Sequence, residues 1–232
     1  MQEKNVVTID YLSDSERFAD FLNGLWFSGR RVLKPENIRE RRADTSRIWK
    51  ESGTLHTSEV FRDLTREVCL DTHTLLVALE AQSDIHYAMP VRVINGDSIQ
   101  YHEQWRRIRN RHRQRRDLRS TGYLSGFHKE DRLFPVITLV LYFGRKPWDG
   151  PENLWDMMNI ASLPDAVQGY VADYPLRLID VRRYPYPEQF HTDLRVVFGF
   201  LAVDTEKDTL REFIKKHEKE FHSLREDAYD MI

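Results

Sequence analysis

A single cysteine, Cys69, stands in 232 residues, which excludes an intramolecular disulfide and any cysteine-rich zinc site. No stretch approaches the ~20 consecutive apolar residues that span a bilayer, so no membrane partner is expected. The opening residues MQEKNVVTIDYL lack the basic-then-apolar layout of a secretory signal. These absences together point to a cytoplasmic protein in a reducing compartment. Neither GxxxxGK(S/T) nor GxGxxG occurs, which removes the common phosphate-cradling loops, and GxSxG elbows of serine hydrolases are absent too. The nine histidines show no HExxH, no HxxxH and no pairing with cysteine, so their spacing supports no zinc-type site. Charge of one sign is also lacking: 35 Lys+Arg against 37 Asp+Glu leave −2, which taken alone argues against a polyanionic partner.

What is present is a globular chain. Hydrophobic residues make up 41% and aromatics 12%, ample for a buried core in one large domain or one domain with an appended lobe. Ser13 with Glu16 three residues later predicts a capped helix whose Phe18, Phe21, Leu22 and Leu25 recur at helical spacing, with Gly24 weakening its interior and Gly29 near its end. The polar stretch 30–56 supports only a short strand near 37–42. Residues 61–69 and the apolar run Leu75–Leu79 read as a hairpin. A turn centred on Asp71-Thr72 sets Asp63 opposite Glu80 and Thr65 opposite Ala78. Leu64, Val68, Leu75, Val77 and Leu79 then share one face, and Asp63, Glu80 and Gln82 the other. A helical pattern follows from 86 to 116, with Pro90 in its first turn and Gly96 interrupting it. Strands are predicted over 134–143 and 176–181, and helix over 192–222. This order suggests an α/β or α+β fold around a mixed central sheet flanked by helices.

Two features carry chemistry. Asp63 and Glu80 would face each other at the end of an apolar strand, which is costly unless a positive group lies between them. A hard divalent cation such as Mg²⁺ suits oxygen ligands, and the Ala81 carbonyl could add a third. The competing reading is a strand whose acids are solvated or paired with Arg62 and Arg66. The second feature is a run between Trp105 and Arg119 with eight arginines and one acid, Asp117. That +7 block leaves −9 for the remaining chain, so the overall balance hides a polyanion footprint. A solvated helical extension is the alternative.

The stretches SDSERFADFLNG (13–24), RDL (62–64), LEAQSDIHYAMPVRV (79–93) and SGFHKEDRLFPVITLVLYFGRKPWDGPENLWDMM (125–158) resemble the Rpn group. These are recombination-promoting nucleases or transposases related to the YhgA-like transposases, within the PD-(D/E)XK nuclease superfamily. The resemblance covers most of residues 5–160. It implies a restriction-endonuclease-like core over 1–160, including the Arg-rich helix, and a C-terminal α/β extension over 161–232. It also implies a metal-dependent DNA endonuclease linked to recombination or mobile elements. Its catalytic residues would be Asp63, Glu80 and Gln82, with Asp63, Glu80 and Ala81 on Mg²⁺ or Mn²⁺. Gln82 stands where many superfamily members carry Lys; an amide orients water but cannot act as a base. Arg92, Arg106, Arg109, Arg113 and Arg116 are the expected nucleic-acid contacts. RNA in place of DNA, a homodimer through the C-terminal helices, and a catalytically inactive nucleic-acid-binding or interaction protein remain as alternatives. The last is favoured by Gln82 and by Gly96, where a larger residue is expected.

Overall fold

In the computed structural model, which describes residues 2–41, 46–51, 54–59, 64–118 and 121–232, the chain opens on α1 (Gln2–Ser13) and α2 (Ser15–Phe27). Asp14 rather than Ser13 caps α2: its carboxylate accepts from the amides of Glu16 at 2.9 Å and Arg17 at 3.1 Å. Ser13 instead ends α1, its hydroxyl donating to the Asp10 carbonyl at 2.6 Å. Phe18, Phe21 and Leu22 are fully buried, as their spacing predicts. Gly24 is a packing requirement, because a Cβ there would stand 2.3 Å from a ring carbon of Phe190.

Five strands follow, two of them paired as a separate hairpin. They are β1 (Ile38–Glu40), β2 (Ser46–Glu51), β3 (Thr54–Glu59), β4 (Leu64–Leu70) and β5 (His73–Gln82). β2 and β3 pair only with each other, and their polar sequence carries no period-2 signal that would reveal them. The long α3 (Met89–Arg115) runs unbroken through Gly96, which is buried within it, and Pro90 sits in the first turn as expected. After α4 (Thr121–Ser125) come β6 (Val136–Tyr142), α5 (Asp165–Gln168) and β7 (Arg177–Asp180). The chain closes with α6 (Leu194–Val203), α7 (Lys207–Lys216), α8 (Glu218–His222) and α9 (Glu226–Tyr229), where the sequence suggests one helical region. No helix among the described residues is long and apolar enough to cross a membrane.

The main sheet has the order β1-β4-β5-β6-β7, antiparallel across β1, β4 and β5 and parallel across β5, β6 and β7. This is the mixed α/β architecture expected. The β4–β5 register sets Leu64 opposite Leu79 and Thr65 opposite Ala78, closing on a two-residue turn with Asp71 at φ 50°. Leu64, Val68, Val77 and Leu79 consequently share the face packed against α1, α2 and α6. The other face carries Glu80, Gln82 and Val140 and receives α3 through Met89 and Val93. Residues 161–232 add β7 to the sheet, and α6 to the layer that covers its apolar face.

The two ends of the chain meet at Arg17, whose side chain is 2% exposed. Its guanidinium grips Asp193 with Nε at 2.8 Å and Nη2 at 2.7 Å, and Nη2 also reaches Asp227 at 2.9 Å. Nη1 bonds Asp227 as well, and the guanidinium carbon lies 4.0 Å from the centre of the Tyr11 ring. The Tyr11 hydroxyl donates to Asp193 at 3.0 Å. Burial works against the charge on Arg17, but its hydrogen bonds to Asp227 and Asp193 outweigh it and raise the pKa. The hydrogen bond from Arg17 holds the Asp227 carboxyl below its ordinary value. Replacing Arg17 with Met leaves two carboxylates facing each other and should cost about 3–5 kcal/mol, read from urea unfolding at pH 7. Because the folded pKa of Asp227 is depressed, its stabilisation is present above 3.8 and fades as pH falls from there through the folded value. That acid slope should flatten in Arg17→Met.

Candidate active site

Glu80 lies near the C-terminal end of β5, and only 3% of its surface is exposed. Burying a carboxylate there requires a counter-charge, and α3 supplies it. Met89 and Val93 anchor the first turns of α3 on Val140, which aims Arg92 back at the strand end. Arg92 Nε and Nη2 both converge on Glu80 Oε2, at 3.0 and 2.8 Å. Arg66 is not part of this arrangement: it lies on the opposite face and donates to the Ser13 carbonyl at 2.9 Å. Gln82 shares the Glu80 face, is 8% exposed, and its amide makes no hydrogen bond among the described residues. Ala81 is fully buried with its side chain on the apolar face. Asp63 and Arg62 lie outside the described residues.

The local sequence hides one buried acid. Asp97 sits on the inner side of α3, one turn beyond Val93, where it accepts from Thr138 Oγ1 at 2.6 Å and from the Tyr174 hydroxyl. It ties the helix to β6 and to the loop before β7. Its place one helical turn after Val93 is the local signal, and Gly96 beside it, expected to interrupt the helix, obscures it. Nearby, Tyr87 is exposed and bonds Asp149 at 3.3 Å.

The donors around Glu80 are a carboxylate, an amide and a backbone carbonyl. This all-oxygen set suits a hard divalent cation such as Mg²⁺ or Mn²⁺, which would share the Glu80 carboxylate with Arg92.

The arginines occupy the other end of the same helix. Gln104 marks the handover: its amide bonds both the carbonyl and the amide of Phe134, at 3.1 and 2.7 Å, just before β6 begins. Beyond it α3 is braced by Asp117 and by residues 125–131. Arg106, Arg109 and Arg113 recur at i, i+3 and i+7 on one face. Arg106 bonds Glu103 at 2.8 Å. Arg109 is a packing residue as much as a charge. It lies 4.3 Å over the Trp105 ring, and its stem fills the space over Gly126, where a Cβ would approach its Cγ to 2.3 Å. Arg113 is exposed on the helix and Arg116 forms its left-handed cap at φ 53°. Arg107, Arg111 and Arg115 are exposed on the remaining faces, and Arg119 lies outside the described residues. At 1.5 Å per residue, Arg106 and Arg113 lie roughly 21 and 32 Å along the helix from Arg92.

The Arg92–Glu80 pair should show strong coupling. Arg92→Met alone is expected to lose about 1.5–3 kcal/mol of stability, and the double variant Arg92→Met/Glu80→Gln should recover much of it in a thermodynamic cycle. Additive losses would mean that the pair is energetically idle.

Residues 107–230 match the family model described as "Putative transposase, YhgA-like". The match takes in the arginine-rich end of α3, the braces of residues 117–131, β6, β7 and the C-terminal helices, and begins after Glu80 and Arg92. No curated protein and no solved structure matches the chain. Since the matched region is more than half of the sequence and carries the arginine stripe, the chain belongs to the YhgA-like putative transposase family.

Proposed function

We propose that this protein is a metal-dependent DNA endonuclease, acting in the cytoplasm in recombination or in the movement of mobile elements. The observation that supports it most is a buried carboxylate, Glu80, held by the first turn of a helix whose far end is a stripe of exposed arginines. Ligands of parallel strands gather at their C-terminal ends, where Glu80 and Gln82 stand. In this reading Asp63, Glu80 and the Ala81 carbonyl hold Mg²⁺ or Mn²⁺. The cation, when bound, stabilises charge building on the phosphodiester and eases deprotonation of water.

The chain's own residues then have distinct tasks. Arg92 holds the Glu80 carboxylate in place and adds a fixed positive charge beside the scissile phosphate. Gln82 orients the attacking water through its amide oxygen but takes no proton. Arg106, Arg109, Arg113 and Arg116 hold the duplex backbone. The 21–32 Å separation along α3 corresponds to roughly 6–9 base pairs of duplex, so one DNA segment reaches both ends.

A second reading, a nucleic-acid-binding protein without the chemistry, is favoured by Arg92 itself: Glu80 already has an internal counter-charge and needs no metal to be buried. Plasmid nicking in Mg²⁺ or Mn²⁺ separates the two. Cleavage should be abolished by Asp63→Ala and by Glu80→Ala with the circular dichroism spectrum retained, and unchanged cleavage in both would sink the nuclease reading. DNA binding without any metal-dependent cleavage would select the second. In either case Arg113→Ala should weaken duplex binding at all sequences and reduce the slope of log K against log salt by about 0.9, measured by fluorescence anisotropy. Competition with RNA shows which nucleic acid is preferred.

A further inference from the structure

The C-terminal end of α3 brings together four side chains that the sequence keeps apart. His112 Nδ1 lies 2.9 Å from Asp117 Oδ1, and His128 Nε2 lies 3.7 Å from the same oxygen. The two imidazoles meet edge to face with centroids 4.3 Å apart, and the three ligating atoms all lie within 4.8 Å of one another. His112 is nine-tenths buried, while Asp117 and His128 reach the surface, so the cluster has a rigid floor and an open side. We propose that His112, Asp117 and His128 form a binding site for a divalent transition metal of the Zn²⁺ type, separate from the Glu80 site.

Three arguments carry this. The first is geometry: tetrahedral zinc with bonds of about 2.0–2.2 Å sets its ligands roughly 3.3–3.6 Å apart. The separations of 2.9 and 3.7 Å to Asp117 bracket that distance, and the two histidine nitrogens lie within 4.8 Å of each other. The second is donor chemistry. Two imidazole nitrogens and one carboxylate select a borderline metal over the hard Mg²⁺ suited to the all-oxygen set at Glu80. The third is the outer support. His112 Nε2 lies 2.8 Å from Asp131 Oδ2, and that oxygen is itself held by the backbone amide of His128 at 2.7 Å. A ligating histidine whose second nitrogen donates to a fixed carboxylate is the arrangement that orients the ring and sharpens its basicity at metal sites. On binding, the ion replaces the proton between His112 Nδ1 and Asp117 Oδ1, and that proton leaves to solvent. Three protein ligands leave a fourth position for water.

The site would clip the loop of residues 117–131 to the arginine helix. That loop also carries Gly126, which seats the stem of Arg109, and the Ser125 carbonyl, which accepts from the Trp105 indole at 3.0 Å. Zinc here would therefore be structural, bracing the arginine stripe. The signal escapes spacing rules because the two histidines are 16 residues apart, with the turn of α4 between them.

The test is zinc binding to the full-length protein stripped with a chelator, measured by competition with a chromophoric indicator and by thermal unfolding with and without Zn²⁺. One zinc per chain and a raised Tm are expected. His128→Ala, at a partly exposed position that tolerates truncation, should abolish both effects, while Asp131→Asn should weaken zinc about 10–100-fold. Glu80→Ala and Cys69→Ser should leave zinc binding unchanged. No stoichiometric zinc uptake by the wild type, or uptake that persists in His128→Ala, would overturn the proposal.

Discussion

Arg17 sets the condition under which the rest of the molecule assembles. A guanidinium buried this deeply is tolerable only when both Asp193 and Asp227 are in place, so α2 cannot take up its final position without segments about 175 and 210 residues later. The charged trio lies where α1, α2, α6 and α9 converge over the apolar face of the sheet. The aromatic cluster of Phe21, Phe190 and Phe198 packs alongside, with Gly24 giving way to the Phe190 ring. Hydrophobic burial supplies most of the driving force on that side, and the ion cluster makes it specific: only one pairing of the chain ends gives the buried Arg17 its two carboxylate partners. Contacts of such long sequence separation are paid for in loop entropy before they stabilise anything, which predicts slow folding relative to helical bundles of equal size.

The opposite face follows a different rule. There α3 packs on the sheet with a mixed surface, apolar at Met89 and Val93 and hydrogen-bonded at Asp97 and Gln104. Polar packing of this kind is satisfied only in one register of helix on strand, since a shift of one turn would orphan Asp97 and break the Arg92–Glu80 pair. The position of Arg92 is therefore a consequence of the same contacts that seat the helix. Family membership reaches the chain through the distal half of this helix and everything after it, which is the half that bears the arginines. The net charge of −2 conceals that division, because the +7 block between Trp105 and Arg119 is offset by −9 distributed over the remaining chain.

How much was legible beforehand depended on the range of the signal. The β4–β5 register could be read from Asp71-Thr72 and period-2 apolarity, since a slip of one residue would turn Leu64, Val68, Val77 and Leu79 outward. That register also fixed the shared face of Glu80 and Gln82. The helix cap was misplaced by one residue because Ser13 and Asp14 are both good caps and only the end of α1 decides between them. The β2–β3 hairpin escapes a sequence reading because SRIWKE and TLHTSE carry no period-2 apolar alternation. Gly96 did not break α3, because tertiary contacts on either side outweigh one residue's propensity. Arg92 was singled out for phosphate contact, but its pairing with Glu80 depends on where a loop returns the helix. His112 and His128 likewise meet only because 117–131 folds back, which no local spacing encodes.

The geometry of α3 has a mechanical side. Its first 16 residues are fastened to the sheet, and the remaining 11, from Trp105 to Arg115, form an arm tied through Trp105 to Ser125 and through His112 to Asp117 and Asp131. Like charges crowd that arm, so their mutual repulsion strains it most when counterions are scarce, and added salt or a bound polyanion relaxes it. A load applied at the arm's tip meets first the bonds of His112 to Asp117 and Asp131 and of Trp105 to Ser125, and then Gln104 on Phe134 and Asp97 on Thr138. The arm is stiff because no proline falls within it after the first turn, so bending would have to be absorbed at those fastenings rather than along the shaft.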